Sequence, residues 1–187
     1  LLAPVRPPPF DLEVPRDGYR WWYLDAIRPG TGEALVIIAF VGSVFSPYYF
    51  RARSRGRGDP ERFCAINVAL YGAAGKRWTM TERGAAAVTR ETDFFRVGPS
   101  SLRWSGDHLR FAIDERCAPL GQRLRGTVQA WPTVTSPVRY RIGSDDLHGW
   151  HCWSPQARVS VDFGPLGAWQ GEGYLDSNWG REPLEAG

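Results

Sequence analysis

Apolar and polar residues alternate with a period of two along most of this chain, and that pattern restricts it to half-buried β-strands. Leu109, Phe111 and Ile113 alternate with Arg110, Ala112 and Asp114. Val138, Tyr140 and Ile142 alternate with Arg139 and Arg141, and Val159, Val161 and Phe163 with Ser160 and Asp162. Turn signals separate these runs: Ser105-Gly106-Asp107 precedes the first, and Arg28-Pro29-Gly30-Thr31-Gly32 divides the segment around Gly18–Ala26 from the apolar run Ala34–Val41, which together read as a hairpin. Short strands spaced by turns predict an all-β, mostly antiparallel barrel or sandwich. The 21 glycines and 15 prolines are spread between the apolar runs as turn punctuation. Gly84–Arg90 is the one helix-like window, and it is too short to form a helix on its own. Residues 1–17 are proline-rich and are expected to form a lead-in arm, because proline lacks the donor that a sheet interior needs. Residues 18–187 are expected to form one β domain.

Several function classes are disfavoured. The excess of 23 basic over 20 acidic residues is small, and no basic, aromatic-spaced stretch suggests a nucleic-acid groove. Cys64, Cys117 and Cys152 have neither disulfide-framework nor metal-site spacing, which suggests a reducing compartment. His148 and His151, three apart, would lie on opposite faces of a strand, so no metal is expected. No nucleotide-binding glycine loop or nucleophile elbow is present, and no cofactor is expected. Ala34–Val41 has eight residues, whereas a membrane-spanning helix needs about 20. Arg51, Arg53, Arg55 and Arg57 read as a solvated loop, with contact to an anionic membrane surface as the alternative. The chain starts at Leu1 without methionine, so missing ends are expected.

Two i, i+2 pairs carry the candidate chemistry: His151 with Trp153, and Tyr174 with Asp176. Each pair projects to one side of its strand. If both strands face one cavity, an imidazole, an indole, a phenol and a carboxyl converge there. The alternative is structural, with a hydrogen-bonded core histidine beside a tryptophan and a turn around Ser177-Asn178. The nine tryptophans are compatible with core packing and also with a large apolar cavity for a greasy ligand.

Longer strings resemble a known family. Gly18-Tyr19-Arg20-Trp21-Trp22-Tyr23-Leu24-Asp25-Ala26, the stretch Ile38–Tyr49, Asn67–Gly72, Trp78–Arg83, Gly173–Asn178 and Glu182–Glu185 are similar, in order, to carotenoid 1,2-hydratases. The resemblance implies a lipocalin-like β fold, usually the first part of a two-domain architecture whose second β domain lies beyond this chain. It implies hydration of the terminal 1,2 double bond of acyclic carotenoids such as neurosporene and lycopene. It also implies Asp176, His151, Trp153 and Tyr174 as site residues, with Asp176 as proton donor.

That chemistry suits these residue types. Protonating a trisubstituted alkene needs a carboxyl that keeps its proton near neutral pH, which burial favours. Aromatic faces stabilise the resulting tertiary cation. His151 would orient the acid or accept a proton from the attacking water. The expected partners are a long apolar isoprenoid and water. The expected location is the cytoplasmic side of the inner or photosynthetic membrane, in peripheral contact. Two alternatives stay open: a related isoprenoid cyclase or isomerase that shares the first protonation, and a carrier that only binds an apolar ligand.

Overall fold

The structure is a computed structural model and describes residues 7–119, 121–143 and 147–184. Residues 1–6 of the expected arm and Glu185 of the last family-like string lie outside the described residues. Among the described residues, twelve strands form one antiparallel sheet: β1 (Tyr19–Ile27), β2 (Ala34–Val41), β3 (Cys64–Tyr71), β4 (Arg77–Arg83), β5 (Val88–Glu91), β6 (Phe94–Val97), β7 (Ser100–Ser105), β8 (His108–Arg116), β9 (Arg123–Val134), β10 (Tyr140–Ile142), β11 (His148–Asp162) and β12 (Ala168–Gly180). The spatial order is β4-β3-β2-β1-β12-β11-β9-β8-β7-β6-β5, with β10 paired to β11. The path curls into a nearly closed, lipocalin-like barrel, and β4 returns against β8. Arg83 and Ser100 both donate to the buried carboxylate of Glu115 at this closure, at 3.4 and 2.7 Å.

Alternation builds the barrel wall. On β1, Trp22, Leu24 and Ala26 point inward, and on β8 Leu109, Phe111 and Ile113 do the same. The hairpin of β1 and β2 turns through Arg28–Glu33, where Arg28 and Glu33 pair at 2.9 Å. Gly171 and Gly173 let β12 approach β1 and β11 closely, since a Cβ at either would stand within 2.7 Å of the backbone oxygen of Ile27 or Asp25.

The interior is filled. Phe10, Trp22, Phe95, Phe111, Trp153 and Phe163 are almost wholly buried in one core cluster. The arm supplies part of that filling: Phe10 packs edge-on to Trp22 with ring centroids 5.2 Å apart and lies 6.2 Å from Phe95. Its backbone is held by Thr92, by Arg90 donating to the carbonyls of Phe10 and Leu12, and by the Trp22 indole donating to Pro8. Burying such a phenyl ring contributes about 1.5–3 kcal/mol. Among the described residues the aromatics fill one another's space, so the large aromatic-lined cavity considered from the tryptophan count does not lie within this core cluster.

Three local expectations change. Arg51 and Arg53 lie on a helix, α1 (Pro47–Arg53), because the Ser46 side chain caps its N-terminus by accepting from the Tyr49 amide and Pro47 is pre-set for the first turn. The Gly84–Arg90 window forms a 3₁₀ turn over Ala85–Ala87 and then enters β5. Val138, Tyr140 and Ile142 are about half exposed, since β10 is a three-residue edge strip rather than a core strand. No described helix is long and apolar enough to cross a membrane.

Candidate active site

β11, β12 and β1 are neighbours, and their register decides which side chains meet. Cys152 pairs with Asp176, which pairs with Tyr23; Trp150 pairs with Asn178, which pairs with Trp21; and Tyr174 pairs with Asp25. All of these point to the outer face of the sheet, because the intervening Leu24 and Leu175 point into the core. The rows continue across the sheet. Tyr23 pairs with Ile38, Ile38 with Asn67 and Asn67 with Met80, so a line from Cys152 to Met80 crosses six strands. At the usual strand spacing that line is roughly 24 Å long.

Asp176 is the centre of this face. It is 9% exposed, and three side chains donate to it: the Trp150 indole to Oδ2 at 3.0 Å, the Tyr174 hydroxyl to Oδ2 at 3.0 Å, and the Asn178 amide to Oδ1 at 3.1 Å. Desolvation nevertheless raises its pKa, and the nearby Asp25 charge adds to the rise. With two donors already on Oδ2, the proton is best carried on Oδ1. A half-turn of the Asn178 amide then turns its donor into an acceptor for that proton.

The surrounding groups are also shifted against ionisation. Burial is the largest cause of the raised pKa of Tyr174, Tyr23 (pushed up to about 12), Asp25 and Cys152. Tyr23 donates to Asp25 Oδ2 at 3.4 Å, and its ring meets the Tyr174 ring edge-on at 6.2 Å. Asp25 opens onto a cavity of about 430 Å³ beside Ile27, Val36, Gln156 and Glu172. Toward the other end of the face, Trp21 packs against Phe40 and Phe40 against the exposed Phe45, just before α1.

Of the four residues expected at the site, the structure brings Tyr174 and Asp176 together and sets His151 and Trp153 on the opposite side of the sheet. The convergence of all four is corrected by parity. Cys152 pairs with Asp176, so its neighbours in sequence face inward. His151 pairs with Ser177, and its Nε2 donates to the Ser136 carbonyl at 2.8 Å. Desolvation lowers its pKa and keeps it neutral. Trp153 follows at a β-bulge, is 1% exposed and meets Trp104 edge-on at 6.0 Å. A cavity of about 820 Å³ at one end of the barrel is lined by Arg20, Arg139, Arg181 and Trp179 among others and holds none of the four.

Sequence reasoning missed Trp150, Cys152, Tyr23 and Asp25. One signal was present. Tyr23-Leu24-Asp25 repeats Tyr174-Leu175-Asp176, and the two triplets pair antiparallel, tyrosine against aspartate in both directions.

The chain resembles proteins of known assignment. It is 48% identical over 183 residues to an acyclic carotenoid 1,2-hydratase of Thiocapsa roseopersicina, covering 97% of this chain and 45% of that protein. It is 46% identical over 181 residues to the protein of the same name in Rubrivivax gelatinosus, covering 95% of this chain and 45% of that one. This chain thus spans a little under half the length of these relatives. A solved structure from Nitrosomonas europaea, provisionally assigned as AttH, superimposes with a TM-score of 0.58 at 19% identity, over 98% of this chain and 60% of that one, and supports the fold alone. Residues 37–187 match the family model for the carotenoid hydratase CrtC, and the chain belongs to that family.

Proposed function

We propose that the protein hydrates the terminal 1,2 double bond of acyclic carotenoids such as neurosporene or lycopene, as a cofactor-independent hydro-lyase with Asp176 as its acid. The observation that carries this reading is a buried carboxyl, raised in pKa and ringed by Trp150, Tyr174 and Tyr23, on an outer face that Ile38, Phe40 and Met80 extend with apolar side chains. Family membership supports the substrate class. Asp176 gives its proton to the less substituted alkene carbon, which leaves a tertiary cation on the neighbouring carbon. Water then adds to that carbon to give the 1-hydroxy product. The aromatic rings beside Asp176 stabilise the cation by about 2 kcal/mol when desolvated.

In this reading the substrate lies along the outer face, whose six-strand row suits an extended polyene, and His151 and Trp153 act from the interior by holding the register of β11 beneath the site. The relatives' greater length leaves room for a second β unit that covers this face. Peripheral membrane contact belongs to the same proposal. Phe45, Tyr48 and Phe50 are 65%, 69% and 58% exposed around α1, next to Arg51 and the site-face residue Phe40. Aromatics and arginines together suit an anionic lipid interface. Flotation with anionic liposomes tests this contact, and a Phe45→Ser/Tyr48→Ser variant should stay at the bottom of the gradient.

The activity is tested by incubating the protein with neurosporene in heavy water. One deuterium on the protonated carbon and one hydroxyl on its neighbour are expected from the wild type, and neither from Asp176→Asn. Full turnover by Asp176→Asn would remove Asp176 as the acid. Product without a hydroxyl would point to cyclisation or isomerisation.

A further inference from the structure

A hydration that starts from an acid needs somewhere to put the proton released by the incoming water. His151 cannot receive it on the Asp176 face, because its ring lies on the other side of the sheet and is tied to Ser136. On the Asp176 side of β1 and β12, the nearest other carboxyl is that of Asp25, reached by the cross-strand diagonal from Asp176, for which Cα atoms are about 7–8 Å apart.

We propose that Asp25 is the base that takes the proton from the attacking water, so that the two Tyr-Leu-Asp triplets form an acid and base pair facing one substrate. The inference rests on Asp176 being the acid. Three features of the geometry carry it. Asp25 lines the 430 Å³ cavity, through which water reaches it, whereas Asp176 is largely closed off. Each aspartate has a tyrosine two residues earlier that donates to it, Tyr23 to Asp25 and Tyr174 to Asp176. The two aspartates occupy diagonal positions on one face of the β1–β12 pair, so both carboxyls are available to one substrate lying on that face.

The electrostatics give the two carboxyls different roles. Two like charges this close on a half-buried face do not both ionise readily. Burial raises the Asp25 pKa and the Tyr23 hydroxyl and the backbone of Tyr174 work against that rise; the Asp25 anion in turn helps Asp176 keep its proton. The other titratable groups facing Asp25 are Tyr23, Tyr174 and the exposed Glu172 on β12; Cys152 faces Asp176 from β11, and the β2 partner of Asp25 is the apolar Val36.

The steps balance. The Asp176 O–H bond breaks, the alkene π pair forms a C–H bond, and the adjacent carbon becomes cationic. A water lone pair forms the C–O bond, one water O–H bond breaks with its electrons left on oxygen, and that proton passes to the Asp25 carboxylate. Solvent in the cavity returns a proton from Asp25 to Asp176, and the net reaction is alkene plus water to alcohol.

The test follows neurosporene in heavy water with three variants. Asp25→Asn should lower hydroxyl formation by about 100-fold or more while still placing deuterium on the recovered alkene, because protonation and its reversal use Asp176 alone. Asp25→Glu should recover part of the hydration. Tyr23→Phe removes a donor from the Asp25 carboxylate, so the pH at which hydration switches on should move upward. Wild-type hydration by Asp25→Asn overturns the proposal, as does loss of both hydration and deuterium exchange in a folded Asp25→Asn protein, or an unmoved pH profile in Tyr23→Phe. Asp176→Asn separates the two readings: if it still exchanges deuterium the acid assignment falls, and if it is silent while Asp25→Asn hydrates normally only the base assignment falls.

Discussion

The two faces of the β11–β12 ribbon are built from similar residue types and do opposite things. Inward, His151, Trp153, Leu175 and Ser177 are packed into a filled core, and the histidine is held neutral. Outward, Trp150, Cys152, Tyr174 and Asp176 face a sheet surface with an adjoining cavity, and burial raises the pKa of the carboxyl. Burial acts on both, yet it moves an acid and a base in opposite directions. Aromatic richness alone therefore does not mark a site. What distinguishes the outer face is a desolvated carboxyl whose one Oδ1 donor, the Asn178 amide, can turn to accept a proton carried there.

Substitutions that hit one face and spare the other test this contrast most directly. Asp176→Asn should lower hydration by about 10²–10⁴-fold, measured as 1-hydroxy product, while leaving the fold intact. The asparagine can still accept from Trp150 and Tyr174 and donate to a turned Asn178. Trp153→Ala should do the reverse, destabilising the protein by about 3–5 kcal/mol in a denaturant titration through the cavity it leaves. If Trp153→Ala remains stable and only activity is lost, the inner face is part of the site after all.

The two faces should also titrate in opposite senses. Asp176 binds its proton more tightly when folded, so its contribution to stability is greatest below about pH 4, the unfolded carboxyl value, and declines as pH rises through the raised folded value. Thermal melts of Asp176→Asn should lack that decline and show a higher Tm at neutral pH than the wild type. His151 binds its proton less tightly when folded, so its contribution is present above about pH 6.5 and is lost as pH falls through the lowered folded value. His151→Gln should remove that acid-side loss. At neutral pH it should cost only about 1 kcal/mol, from the hydrogen bond to Ser136, and leave the pH profile of hydration unchanged. A shifted profile in His151→Gln would reconnect the two faces.

Much of the wall was legible in the chain. Leu109, Phe111 and Ile113 point inward as their alternation required, and the β1–β2 hairpin lies where its turn residues put it. Tyr174 and Asp176 do share a face, because a two-residue offset on one strand is a local property. His151 and Trp153 also share a face with each other. Whether the two pairs share a face is not local: it depends on how β11 is registered against β12, and Cys152 rather than His151 turned out to oppose Asp176. The same non-local pairing brought Asp25 and Tyr23 to Asp176 across about 150 residues of sequence.

Composition and periodicity alone determined that this chain forms an antiparallel β fold, barrel or sandwich, since side chains in extended backbone have a fixed two-sided geometry whatever they pack against. The family-like strings pointed to the substrate class. Only the tertiary structure decided that the aromatic-rich interior is closed, that the Phe10 arm helps to close it, and that the acidic face looks outward. Inside and outside are not properties of a strand by itself. They are set when the sheet curls, when inter-strand register is chosen, and when the bulk of the side chains on one face is found to fill the space that the curl encloses.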